Sequence, residues 1–395
     1  VAKGSSMTIL ALFALWERVN ELALGGIKYG VETINRFKKV KCVCLTTQKV
    51  GLKYEISIGE KFTLYAYTAV RRVMYYILLL ILIIKGIYYI KKEDIKVIFS
   101  PGVGWVNDMA AYFLSLLSRR KLALVFHHWP YSGWDKRSVY ISLRNEGRRI
   151  LGAAIKLLDV EIAKKALKRA DTIFTVSQSS KDELIKLGIP EEKIVVAYPG
   201  VDDEFFKENF EKTSKVFDAI SVCRISPEKG IYDLIEIWKR VIKNKKIKLG
   251  VMGAPTKILD KWLAKIKENN LDAFIEYLGV MERKSMMEVL RNAKVFVFAS
   301  RKEGFGIAVA EAMACGLPVV CYDIKPLNEL FNSKGVFFVK PFDFDDFARK
   351  ILMLIEDEEL RKTAGKYNRE FARKFKWDET AKIIEERLIA LMGRR

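Results

Sequence analysis

Residues 300–320 read SRKEGFGIAVAEAMACGLPVV. The apolar run AKVFVFAS at 293–300 is short and bounded by polar residues, so it predicts a strand ending at Ser300. A loop with two glycines follows, then a helix opening near Gly306 and running to Gly316, then a second strand in PVVCY at 318–322. Strand, glycine loop, helix and strand make the repeating unit of a parallel sheet covered by helices. The same order aims free backbone N–H groups and the positive helix end past the strand's C-terminal edge, where open α/β sheets hold ligands. Gly304 and Gly306 let a phosphate or sugar approach the backbone, because no Cβ intervenes. Glu303 on the loop and Glu311 in the helix can accept hydrogen bonds from sugar or ribose hydroxyls, but they would repel bare phosphate. The implied ligand carries both phosphates and hydroxyls. Each feature alone has a plainer reading, as a dipole-compensating Glu or a good helix with a terminal glycine.

Working outward, CRISPEKG at 223–230 is a second strand end with charge. Arg224 closes an apolar strand, and Lys229 stands five residues on, directly before Gly230 and the next helix. Arginine grips phosphate oxygens with a planar fork, while lysine supplies a compact charge. Together they can neutralise a diphosphate without a metal. Alone, such a pair is more often a solvated surface pair.

The rhythm runs along the chain. In the second half, strands at 216–225, 246–253, 274–280, 293–300 and 318–322 alternate with helices at 230–243, 256–268, 284–291 and from 306. The first half alternates likewise, with strands at 7–15, 41–47, 95–100, 122–127, 171–177 and 193–200. Between them VDDEFFKENFEKTSK (201–215) lacks apolar periodicity and reads as a loose linker. The domains expected are 7–200, 201–376 and a terminal helix, 377–395, with Ile383, Ile384, Leu388 and Leu391 on one face. The most apolar stretch, VMYYILLLILII (73–84), is shorter than a membrane span and reads as a buried helix between two strands. Its basic flanks and Tyr75, Tyr76, Tyr88 and Tyr89 keep open a second reading, a helix lying at a lipid surface.

Composition bounds the class. The 395 residues are half apolar and carry a net charge of +21, which excludes disorder and suggests two domains. Residues 1–200 hold 32 Lys and Arg against 17 acidic residues, a net +15, so the first half carries most of the excess. Five cysteines without a CxxC pair, and only two histidines, argue against a disulfide framework or zinc site. Scarce glutamine beside abundant Lys, Ile and Glu resembles heat-adapted proteins. Val1–Ser6 ahead of Met7 read as a tag remnant, and no secretory signal precedes the first apolar run, so a cytoplasmic location is expected.

Taken together, GG at 25–26, VFH at 125–127, YPGVD at 198–202, RISPEKG at 224–230, LGV at 278–280 and the Glu303 to Glu311 string resemble the retaining nucleotide-sugar glycosyltransferases of glycosyltransferase family 4. The resemblance covers nearly the whole chain, strongest at 171–330 and weakest at 48–95 and 130–165. It implies the α/β GT-B fold: two Rossmann-like doubly wound parallel-sheet domains facing a central cleft, with a C-terminal helix crossing back to the first domain. It further implies that Arg224 and Lys229 bind the donor diphosphate, and that the backbone at Phe305, Gly306 and Ile307, beside Gly304, supports phosphate and hexose. Glu311 would hold the ribose hydroxyls and Glu303 those of the transferred sugar. Gly253 and Val280 would lie at the nucleotide, and Gly26 in a glycine-rich loop closing on phosphates and sugar. His127, rather than its neighbour His128, would contact the donor sugar near its reacting centre; a histidine satisfied by backbone is the plainer alternative.

Breaking a sugar–nucleotide bond leaves two negative phosphates, so fixed positive groups must face the leaving group. Arg224, Lys229 and the helix end near Gly306 are the candidates, which makes a bound metal unnecessary; no cofactor is expected beyond the nucleotide sugar as co-substrate. The resemblance implies front-face substitution, so neither Glu303 nor Glu311 is read as a covalent nucleophile. For the acceptor, the +15 excess, the Arg-rich 135–149, the aromatic HHWPYSGW (127–134) and the Tyr-flanked helix suit a lipid-linked glycan or polyprenyl-phosphate-type acceptor at an anionic membrane surface. The location would then be peripheral on the cytoplasmic face. Alternatives are a soluble sugar or glucan acceptor and a non-catalytic nucleotide-sugar binding protein. Nucleic acid is not expected, because no recognisable binding module accompanies the charge.

Overall fold

The computed structural model describes residues 7–13, 25–46, 55–57, 68–102, 105–129, 136, 139, 150–207 and 217–393. Two compact units divide them, one running to Tyr198 and resuming at Asp378, the other covering Pro199–Trp377.

The first unit is built on a seven-stranded parallel sheet: β1 (Met7–Phe13), β2 (Val40–Thr46), β3 (Glu55–Ser57), β4 (Val97–Ser100), β5 (Lys121–Phe126), β6 (Thr172–Thr175) and β7 (Ile194–Val196). Their spatial order is β3-β2-β1-β4-β5-β6-β7. Central strands such as β4 are buried along their whole length, the mark of a parallel sheet covered on both faces. Helices α1 (Gly25–Asn35), α2 (Thr68–Lys92), α3 (Trp105–Ser118), α4 (Ile150–Arg169) and α5 (Gln178–Lys186) connect them.

The second unit repeats the plan with six parallel strands: β8 (Ala219–Val222), β9 (Leu249–Met252), β10 (Ile275–Gly279), β11 (Val295–Phe298), β12 (Val319–Tyr322) and β13 (Val336–Val339). The order is β10-β9-β8-β11-β12-β13. Helices α6 (Ile231–Asn244), α7 (Leu259–Glu268), α8 (Arg283–Asn292), α9 (Ile307–Ala314), α10 (Leu327–Leu330), α11 (Phe344–Glu356) and α12 (Glu358–Ala372) complete it. In both sheets the chain winds outward in one direction, returns, and winds in the other. The break falls between β1 and β4 and between β8 and β11, and at such a point the loops after adjacent strands part and leave a crevice.

The last helix, α13 (Trp377–Gly393), joins the first unit from Asp378 onward. Ile384 and Leu388 are fully buried. One Glu385 oxygen accepts three successive backbone N–H groups, of Lys38, Lys39 and Val40, at 2.8, 2.6 and 2.9 Å. Arg387 bonds the Thr172 hydroxyl at 3.1 Å and the Glu192 carbonyl at 2.6 Å.

Two sequence expectations are corrected. The apolar stretch at 73–84 belongs to a longer helix, α2, which is not buried all round: Leu78, Leu79, Leu82 and Ile90 enter the core, while Ile77, Leu80, Ile84 and Tyr88 are exposed. A run apolar at every position carries no period, so its sequence conceals which side faces the sheet. Nor is 201–215 a loose linker throughout. Phe205 is fully buried beneath the Arg283 guanidinium, and Asp202 pairs with Arg283 and accepts the Trp377 indole N–H at 2.7 Å. A single buried aromatic anchors the segment and leaves no periodic trace. All of 208–216, and all of the Arg-rich 135–149 except Lys136 and Val139, lie outside the described residues, as do residues 130–134 of the aromatic HHWPYSGW.

Candidate functional site

In the second unit the loops after β8 and β11, where the strand order reverses, are tied together. The Arg301 backbone N–H donates to the Glu228 carbonyl at 2.9 Å, and Lys229 Nζ reaches the Glu303 carboxylate at 2.7 Å and the Lys302 carbonyl at 3.3 Å. Lys229 and Glu303 are largely buried, at 18% and 10% side-chain exposure. Arg224 is half exposed and bonds Glu228 Oε1 at 2.8 Å, an oxygen that also accepts the Ser226 hydroxyl at 2.6 Å. Burial alone would raise the Glu228 carboxyl, but Ser226, backbone N–H donation and Arg224 outweigh it and hold the pKa below its ordinary value. Each cation singled out from the sequence therefore has a carboxylate partner.

Glycines set how closely these loops approach. Gly230 has φ +70°, and a Cβ there would lie 1.9 Å from the Ala299 carbonyl oxygen. Gly253 has φ +148°, and its Cβ would lie 1.9 Å from the Cys223 carbonyl oxygen, so the loop after β9 abuts the base of the Arg224 loop. Its N–H bonds the Gly279 carbonyl at 2.8 Å, and its own carbonyl accepts the Tyr277 hydroxyl at 2.9 Å. Val280, exposed just beyond β10, completes that edge.

Helix α9 opens behind Gly306, at φ +96°. Gly304 is buried; Phe305 packs edge-on against Phe331 and Phe375, with centroids 5.5 and 5.2 Å away. This aromatic anchor holds the backbone of 304–307 with the first α9 amides at the sheet's edge. Ile307 is the first helical residue, and Glu311 is buried at 6% exposure one turn on. Arg224, Lys229, Gly253, Val280, Glu303, Gly304, Phe305, Gly306, Ile307 and Glu311 thus occupy neighbouring loops and one helix at a single sheet edge.

The sequence reading missed the support beneath this loop. Buried Asp233 takes a two-pronged bond from Arg301 and accepts the Tyr322 hydroxyl at 3.0 Å, while the guanidinium lies 4.7 Å over Phe342. Asp233, in the first turn of α6, reads locally as a dipole-compensating residue, and only the fold brings Arg301 to it.

The first unit carries the other candidates. His127 follows β5, its ring edge-on to buried Tyr29 at 5.5 Å. Nε2 is enclosed beside Gly102. Burial, and then the neighbouring His128, hold its pKa down to about 4, so the ring is neutral at ordinary pH. His127 contributes its carbonyl to the scaffold, accepting Ser180 Oγ at 2.6 Å. Gly26 lies in the first turn of α1, at a helix start rather than in an open loop. Asp108, not anticipated, sits in the first turn of α3 and accepts the hydroxyl of Ser100, the last residue of β4, at 2.6 Å. Burial pushes its carboxyl up to about 7 against that bond, which lowers it.

With the geometry in hand, comparison with known proteins is direct. The family model for glycosyl transferases group 1 matches residues 201–371, and that for Glycosyltransferase Family 4 matches 47–205. An uncharacterized glycosyltransferase of Methanocaldococcus jannaschii is 33% identical over 56% of this chain and 62% of its own length. The N,N'-diacetylbacillosaminyl-diphospho-undecaprenol alpha-1,3-N-acetylgalactosaminyltransferase of Campylobacter jejuni is 29% identical over 58% of this chain and 62% of its own. The chain therefore spans about three fifths of the length of these curated relatives. The crystal structure of Anabaena HepE in complex with UDP and glucose superposes with a TM-score of 0.72 at 17% identity, covering 97% of this chain and all of that one, which shows a shared fold. Two consecutive family models, glycosyltransferase relatives and a doubly wound sheet in each unit agree: the chain belongs to the GT-B glycosyltransferases of the family 4 type.

Proposed function

We propose that the chain transfers a hexose from a nucleoside-diphosphate sugar to a lipid-linked glycan or polyprenyl-phosphate-type acceptor, with retention and without a metal. The observation carrying this reading is the pairing of two cations, Arg224 and Lys229, with the N-terminal end of α9 at one sheet edge. Charge developing on a departing diphosphate needs fixed positive groups in a partly buried site, and these are such groups. In the step proposed, the bond from the anomeric carbon to the leaving phosphate oxygen breaks as the acceptor oxygen bonds that carbon on the same face. The acceptor's proton passes to the leaving phosphate, so no protein carboxylate forms a covalent intermediate. Lys229 leaves Glu303 for the phosphate, freeing that carboxylate for sugar hydroxyls, and Glu311 holds the ribose. His127 is neutral, the form in which an imidazole can both donate to and accept from a sugar hydroxyl.

The UDP and glucose bound in the HepE structure support a nucleotide-sugar donor, and the diphospho-undecaprenol named for the Campylobacter relative supports a lipid-borne acceptor. The test incubates the chain with UDP-, GDP- and ADP-sugars and a short-chain prenyl-diphosphate glycan, with and without EDTA, and determines the product anomer by NMR. An α-linked product from an α-linked donor, unaffected by EDTA, is expected. An inverted anomer, loss of activity in EDTA, or transfer only to free sugars overturns the corresponding part.

A further inference from the structure

Helix α2 presents an apolar face that no described residue of its own unit covers. At 100° per residue, Tyr76, Ile77, Leu80, Ile84 and Tyr88 fall within an arc of about 120°, along roughly 18 Å of helix. Leu80, Ile84 and Tyr88 are 56%, 57% and 54% exposed, unusual for large hydrophobic side chains in register. The opposite side, Leu78, Leu79, Leu82 and Ile90, is in the core, so the helix cannot rotate to hide the stripe. Gly86 fixes its depth, since a Cβ there would lie 2.5 Å from Leu114 of α3. The patch broadens at one end, where the Tyr76 hydroxyl meets Asp159 of α4 at 3.4 Å beside Leu158, itself 63% exposed.

Charge identifies the occupant. From Thr68 to Lys92 the helix has no acidic residue and five basic ones: Arg71, Arg72, Lys85, Lys91 and Lys92. Lys91 continues the stripe at its C-terminal end, Lys85 and Lys92 flank it, and all three are exposed. Lys92 Nζ lies 5.8 Å from the Tyr88 ring centroid. Aliphatic residues between two tyrosines, closed by lysines, match the layering of a bilayer interface: acyl chain, headgroup boundary, anionic phosphate. A second copy packed isologously on this face would bring together two basic helices, with no acidic residue on either to offset their charge. Among the described residues no helix is long and apolar enough to cross a membrane. We propose that the exposed face of α2 is a membrane-docking surface that lies in the headgroup region of an anionic bilayer, with Leu80 and Ile84 inserted and Lys85, Lys91 and Lys92 on lipid phosphates.

The inference rests on the reading of the acceptor as lipid-borne, and its test separates the two. The full chain is sedimented with phosphatidylcholine vesicles, with and without phosphatidylglycerol, at low salt. The comparison includes Leu80→Glu/Ile84→Glu and Lys85→Glu/Lys92→Glu, each first shown to melt like the parent. The parent is expected to bind the anionic vesicles, with at least tenfold weaker partitioning for either variant and unchanged transfer to a short-chain, water-soluble acceptor. Equal binding by all three proteins, no binding by the parent, or a parent dimer in analytical ultracentrifugation that Leu80→Glu/Ile84→Glu dissolves would each overturn the docking surface. Stripe-dependent binding combined with transfer only to free sugars would uphold the surface and overturn the acceptor reading.

Discussion

Lys229 Nζ lies 2.7 Å from Glu303 Oε1, joining the loop after β8 to the loop after β11. The pair is mostly buried, so removing one member leaves the other as an uncompensated charge. Under the proposed function, a diphosphate arriving between the loops would compete for the lysine, and this exchange of partners would couple phosphate binding to release of Glu303 for sugar hydroxyls.

Lys229→Ala is accordingly expected to lower turnover by about 10²–10³-fold, as for other preorganised charges facing a leaving group. Arg224→Ala, at a half-exposed position, should act in the same direction and more weakly. Glu228→Gln keeps an oxygen for Ser226 while weakening the hold on Arg224, and should change turnover by less than about tenfold. Steady-state kinetics with the preferred donor decide this; an unchanged rate in Lys229→Ala places the phosphate site elsewhere.

The three loop glycines should rank in their cost of replacement. Gly230→Ala and Gly253→Ala each set a Cβ against a backbone carbonyl at 1.9 Å at positive φ, and should destabilise by about 3 kcal/mol or more. Gly306→Ala meets first the flexible end of Leu327, at 2.7 Å, so its cost is mainly the left-handed backbone, about 1–2 kcal/mol. Urea denaturation of the three variants tests the order. Equal losses would mean that the backbone carbonyls yield.

Asp108 makes stability depend on pH with a definite sign. Its folded pKa, about 7, lies above the ordinary 3.8, so between those values the folded chain holds a proton that the unfolded chain has lost. Stability from this group therefore falls as pH rises through that window. Asp108→Asn removes the dependence, so the variant should gain on the parent from about pH 4 to pH 7 and hold a constant lead above about pH 8. His127, present in both proteins, cancels in the difference. Parallel profiles would show that the carboxyl ionises as freely as in solvent.

Glu385 ties α13 to the turn before β2 through three backbone amides. Glu385→Ala should cost about 2–3 kcal/mol and speed hydrogen exchange at residues 38–40, whereas Glu385→Gln, which keeps an acceptor oxygen, should recover part of the loss. Unaltered exchange at Val40 in Glu385→Ala would show that the strand start holds without the helix.

Much of the architecture was legible because parallel strands buried on both faces are short apolar runs, and each ends where glycine or charge begins. Runs such as VFVF at 295–298 and VVCY at 319–322 identify themselves in this way. The glycines and charges at 224–230 and 303–311 were legible as loop residues at the C-terminal edge of a doubly wound sheet, and that they meet phosphates and hydroxyls is the reading proposed for them. What a local reading misses is partnership over distance. Asp233 and Arg301 are 68 positions apart, and Lys229 and Glu303 are 74 apart. Helix α2 shows the limit most plainly. Its length and its place between two strands predicted a helix next to a sheet, but its uniform apolarity carried no period to say which side. Packing against the sheet and α3 decided that Leu82 is buried and Ile84 exposed, because only one face of a cylinder can meet a flat layer and the other is left to whatever surrounds the protein.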